Sequence, residues 1–176
     1  MLNKLEIMKK ILYQLIALGS IIPSLVFAQT ARLQIIHNSA DAAASSVDIY
    51  VNGALTYNDV NFRTATAFAD VPAGVPLNVG IAPSTSASVN DTIKNFPVTF
   101  TANEKYVVVA DGIISASGYS PATPFGLSVY GMGREAATNS ANTDVLVHHG
   151  ATDALTVDVY ETGVGAGKIV DNAAYG

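Results

Sequence analysis

His37-Asn38-Ser39-Ala40-Asp41-Ala42, followed by Val47-Asp48-Ile49-Tyr50-Val51-Asn52-Gly53, is the stretch on which the reading of this chain turns. Ser46 to Val51 is a short run rich in β-branched and aromatic residues with polar residues interleaved, the pattern of a half-buried strand. Asn52-Gly53 then lies between Ile49-Tyr50-Val51 and Leu55-Thr56-Tyr57. That dipeptide accepts the positive φ angles of a two-residue hairpin loop, so a hairpin is expected here.

The same punctuation extends in both directions. Runs at Arg32 to His37, Ala65 to Val71, Leu77 to Ala82, Ile93 to Phe100, Tyr106 to Asp111 and Leu127 to Gly131 are separated by Gly, Pro, Asn, Asp and Ser clusters. Val71-Pro72-Ala73-Gly74 reads as a tight turn. Tyr106 opens the strongest apolar run just after the polar Asn103-Glu104-Lys105, which resembles a tyrosine corner whose phenol bonds backbone upstream. No window after residue 29 sustains helical spacing over three turns. The expected class is all-β, an immunoglobulin-like antiparallel β-sandwich over residues 31–140.

The opening stretch recurs. His149-Gly150-Ala151-Thr152-Asp153-Ala154, then Val157-Asp158-Val159-Tyr160 and Gly163, repeats it with two loop residues fewer, and Asp153 follows Asp41 at a domain-sized interval. Residues 143–176 are therefore expected to be the first strands of a second, incomplete sandwich, and the sequence to continue beyond Gly176 in a longer tandem protein.

At these residues the chain is similar to a secreted bacterial module, domain of unknown function 4397. The resemblance rests on Ile36-His37-Asn38-Ser39-Ala40-Asp41-Ala42, on Val47-Asp48-Ile49-Tyr50-Val51-Asn52-Gly53 and on Val71-Pro72-Ala73-Gly74. It covers roughly residues 31 to 134, and its start recurs from about Asp144. Ala43-Ala44-Ser45 stands where the family commonly places a Pro. The resemblance implies an extracellular or cell-envelope module, often in tandem, with no established chemistry.

Residues 1–28 read as a secretory signal: Lys4, Lys9 and Lys10 precede an uncharged apolar stretch, and Val26-Phe27-Ala28 offers a cleavage site before Gln29. No membrane span is expected once it is removed. Nine Lys plus Arg against fourteen Asp plus Glu give a formal net charge of -5, which disfavours nucleic acid as a partner. Without cysteine there is neither a disulfide nor a thiolate nucleophile.

Few residues invite chemistry. His37, Ser39, Asp41 and Asp48 could be assembled into nucleophile, base and orienter. Yet Ser39 sits on no strand-to-helix elbow, and Ala151 replaces it in the repeat. The simpler expectation is that the Asp side chains cap turn amides and His37 bonds within the sandwich, with Asp48 and Asp158 facing solvent. His148, His149 and Asp153 offer metal-ligand types, but adjacent strand residues point to opposite faces. No metal, cofactor or catalytic residue is assigned. Tyr119 and Tyr50, together with His37 and Asp41, are the candidate ligand-binding residues, and the irregular stretch Ser115 to Phe125 is the expected binding edge. The functional expectation is a non-enzymatic secreted or cell-surface structural or adhesion module, with a carbohydrate-binding module as the alternative. The expected partners are a surface glycan or other envelope proteins.

Overall fold

A computed structural model describes residues 29–176; the signal-peptide reading of residues 1–28 lies outside the described residues. Among the described residues eleven strands form, and the only helical turns there are two 3-10 turns at Ala42–Ala44 and Val89–Asp91. The strands are β1 (Thr30–His37), β2 (Ser46–Val51), β3 (Ala54–Asn61), β4 (Thr64–Ala65), β5 (Ala69–Pro72), β6 (Pro76–Pro83), β7 (Lys94–Thr99), β8 (Lys105–Asp111), β9 (Gly126–Tyr130), β10 (Val157–Glu161) and β11 (Gly167–Ala173).

One sheet runs β4-β1-β8-β9, with β5 also on β1; a second runs β3-β2-β6-β7; β10 and β11 form a separate hairpin. Alternation along the strands explains which faces meet. Ala31, Leu33 and Ile35 of β1 and Val108 and Ala110 of β8 share one core with Val47 and Ile49 of β2 and Leu77, Val79 and Ile81 of β6. Each Leu, Ile and Val side chain among these contributes about 1.5–3 kcal/mol through removal from water. Phe100 and Phe125 fill the core from the flanking loops.

Turn chemistry behaves as the residues imply. Asn52 and Gly53 take φ of 49° and 85° and close Val51 onto Ala54. The Tyr106 hydroxyl accepts the Thr101 N–H at 3.1 Å, five residues upstream, as a tyrosine corner should. Pro97 is tolerated in β7 because that strand is an edge.

Two expectations need correction. The sheets are not antiparallel throughout: β1 pairs with β8 in parallel from Arg32↔Lys105 to His37↔Ala110. The expected strand Ala65 to Val71 is interrupted between β4 and β5. There the Thr66 hydroxyl accepts the Ile35 N–H at 3.0 Å and the Thr66 N–H donates to the Ile35 carbonyl at 2.9 Å. A side chain thus takes over part of the ladder, the competition that Thr offers wherever its hydroxyl reaches backbone.

Candidate functional site

Of the side chains singled out in the sequence, His37, Ser39, Asp41 and Tyr119 gather where β1 and β8 finish and β2 and β9 begin. Alternation sends His37 inward after Leu33 and Ile35, and it is 1 % exposed. Its Nε2–H donates to the Ala44 carbonyl at 2.6 Å, and its Nδ1 faces the Ser39 N–H at 3.4 Å. The ring therefore bridges its own loop. Burial lowers its pKa, against the opposing pull of the Ala44 and Ala110 carbonyls, so the imidazole is neutral at neutral pH.

The Ser39 hydroxyl donates to the Gly112 carbonyl at 2.6 Å, directing its proton away from the imidazole. Asp41 caps the 3-10 turn by accepting the Ala43 N–H at 2.9 Å. Its other bonds cross to the β8–β9 loop: the N–H groups of Ile114 (2.8 Å) and Ser115 (2.6 Å) and the Ser115 hydroxyl (2.8 Å). Burial alone would raise this carboxyl, but the bonds from Ser115, Ala43 and Ile114 outweigh it and hold the pKa at about 2. Asp41 is thus a tie between two loops. Tyr119 adds a second, its hydroxyl accepting the Ala42 N–H at 2.8 Å.

Asp48 does not face solvent as its strand position suggested; it is 1 % exposed. Its Oδ1 accepts the Asp59 N–H at 3.0 Å and its Oδ2 accepts the Ser86 hydroxyl at 2.6 Å. The reason is a pair of register shifts between β2 and β3 around Ile49, with Asp59 at φ 54°. A bulge leaves an amide outside the ladder, and Asp48 receives it. Tyr50 is also buried, its hydroxyl 2.9 Å from Ser86 Oγ, so it offers no stacking face. Ser86 was missed from the sequence because nothing in the β6–β7 loop signals that its hydroxyl closes over β2.

The second occurrence of the motif, from His149, reproduces this chemistry in a different setting. His149 Nε2–H donates to the Leu155 carbonyl at 3.0 Å and its Nδ1 faces the Ala151 N–H at 3.4 Å, as His37 does with Ala44 and Ser39. Between β10 and β11 the register shifts on either side of Val159, Asn172 takes φ 53°, and its N–H reaches Asp158 Oδ1 at 2.8 Å. Asp158, expected to face solvent, lies on the surface and is nonetheless engaged, by Asn172 and by Lys168 at 2.9 Å.

His148 and His149 diverge. His148 Nε2–H donates to Asp111 Oδ2 at 2.6 Å, and its Nδ1 lies 2.8 Å from the Tyr130 hydroxyl. Asp111 was read only as the end of an apolar strand; the cue was a carboxylate closing the strongest apolar run after residue 29. Among the described residues no three ligating side chains converge on a possible metal position, and no helix is long and apolar enough to cross a membrane. A groove of about 420 Å³ opens on the outer face of β1 and β8, over Ile36, Val107 and Val109 and beside Tyr130 and Leu146. It is lined by none of His37, Asp41, Tyr50 and Tyr119.

No curated protein matches this sequence. The profile of one domain family does, over residues 31–160, a span that takes in both sheets, their loop ties and the first strand of the repeated hairpin. With most of its length inside that match, the chain belongs to the family described as domain of unknown function (DUF4397).

Proposed function

We propose that this protein is a non-enzymatic, exported structural or adhesion module of the bacterial cell envelope, built as an immunoglobulin-like β-sandwich and followed from about residue 143 by the opening of a second copy. One observation carries the reading. The residues best suited to chemistry spend their polar atoms on the protein's own backbone, and two of them, the His and the strand Asp, make the same bonds again in the repeat. A side chain that holds its own loop in two settings is accounted for by folding. Export rests on the basic and apolar pattern of residues 1–28.

The carbohydrate-binding alternative has less support. Sugar sites use an exposed aromatic face beside free hydrogen-bonding groups, whereas Tyr50 is buried and the Tyr119 hydroxyl is taken by Ala42. The test is retention of the purified protein on insoluble peptidoglycan, chitin and cellulose, with Tyr119→Ala alongside. Neither form should show saturable retention. Saturable binding that Tyr119→Ala abolishes would replace the structural reading with the glycan one.

A further inference from the structure

The segment that carries the chain from the first copy to the repeat has no strand or helix assigned over residues 143–150, yet it is fastened at both ends. At its start Asp144 Oδ2 accepts from Arg134 at 2.7 Å and from the Thr138 N–H at 3.1 Å. At its far end His148 is driven against Asp111, the outward residue that ends β8, and the two side chains are 9 % and 5 % exposed. Tyr130 of β9 completes this group, its ring edge-on to His148 at 5.9 Å. The two fastenings differ in strength: the first is a surface ion pair of small worth, while the second is a charge-assisted bond out of water.

Further contacts fix the geometry beyond His148. A Cβ on Gly150 would come within 2.1 Å of the Asn38 side-chain Nδ2, which places the segment close over the side chains of the β1–β2 loop. The Gly176 N–H donates to the His149 carbonyl at 3.0 Å. The Tyr175 hydroxyl oxygen is buried, and burial first, then the Asp111 charge, pushes its pKa up to about 12. Segments on both sides of the β10–β11 hairpin thus meet the end of β8.

We propose that Asp144–Gly150 is a set joint rather than a free linker, with the outer face of the first copy at Asp111 and Tyr130 serving as the docking surface for the start of the following repeat. Successive copies then hold one orientation, and the array transmits position instead of merely adding length. This rests on the reading of residues 143–176 as a second copy.

Because the chain has no cysteine, two introduced ones give clean spin labels. Thr56→Cys on β3 and Val164→Cys at the tip of the β10–β11 hairpin are both exposed. Pulsed dipolar spectroscopy on the full chain should give one narrow distance, and adding His148→Ala should lose it to a broad distribution while the unfolding midpoint of the first copy stays in place. Asp111→Asn, made from the other side, should do the same. Protection of the Asn172 amide from hydrogen exchange reports separately on the hairpin. A broad distance with that amide protected overturns the joint and leaves the repeat standing; a broad distance with it unprotected overturns both. A narrow distance that survives His148→Ala also overturns the joint.

Discussion

Hairpins β2–β3 and β10–β11 carry the same motif and the same pair of register shifts, yet Val47 and Ile49 are each 2 % exposed while Val157 remains 39 % exposed. In both, the Asp of Val-Asp-Ile/Val-Tyr holds the N–H of a residue with positive φ on the returning strand. In both, a His closes the preceding loop onto its own backbone. The difference lies in what surrounds them. β2 has β6 along its other edge and the β1–β8 sheet across its face, whereas β10 pairs with β11 alone. Local geometry therefore follows from local sequence, and burial from neighbours contributed by residues far along the chain. The same side chains should be indispensable in one hairpin and dispensable in the other.

The largest contrast is expected at Asp41 and Asp153. Asp41→Ala strips partners from the N–H groups of Ala43, Ile114 and Ser115 and from the Ser115 hydroxyl. With each unsatisfied buried group costing about 1–3 kcal/mol, the variant should lose about 3 kcal/mol or more in urea unfolding. Asp153 is exposed, so Asp153→Ala should leave the midpoint in place. Equal losses at the two sites would show that the loops, not the ties between them, set stability.

Next comes the strand Asp. Asp48→Ala frees the Asp59 amide and the Ser86 hydroxyl beneath the β6–β7 loop and should cost about 2 kcal/mol. Asp158→Ala releases the matching amide of Asn172 at the surface, where water replaces the carboxylate. Its effect should be confined to faster hydrogen exchange at Asn172, with core unfolding unchanged. A core loss from Asp158→Ala would mean that the β10–β11 hairpin is coupled to the two sheets more strongly than its exposure suggests.

These pairs also mark what was legible in the residues. Asn52-Gly53, the alternation of β1 and the corner at Tyr106 are local signals, and each folds as its chemistry requires. The roles of Asp41 and His37 could be anticipated as loop capping, because a short carboxylate and an imaginable acceptor lay within a few positions of each. The partners that decide burial could not. Ser115 bonds Asp41 from 74 positions away and Ser86 bonds Asp48 from 38, and no period in the sequence announces either. Asp48 was misplaced for a related reason: a period of two assumes an unbroken ladder, and the shifts at Ile49 turn its carboxylate to a partner's amide. The parallel pairing of β1 with β8 is likewise a property of topology that no single strand displays.

The smallest effect separates the two histidine loops by pH. Burial depresses the His37 pKa below its ordinary value, so the unfolded chain binds a proton there more readily than the folded one. Stability from this residue is fully present above about pH 6.5, where the unfolded imidazole is neutral, and is lost progressively as the pH falls below that value. Asp41 acts in a separate window. Its folded pKa of about 2 lies below the usual carboxylate range, so its contribution holds down to about pH 4 and fades between there and about pH 2. Urea midpoints at pH 8 and 5.5 thus report His37 without the Asp41 carboxylate. Because Gln can still donate to the Ala44 carbonyl, His37→Gln should remove part of the fall in midpoint between those two values while keeping the fold. His149→Gln should leave the fall as it is, since its loop stands outside the core that the midpoint reports. A fall that His37→Gln leaves unchanged would show that the proton-linked site lies elsewhere in the chain.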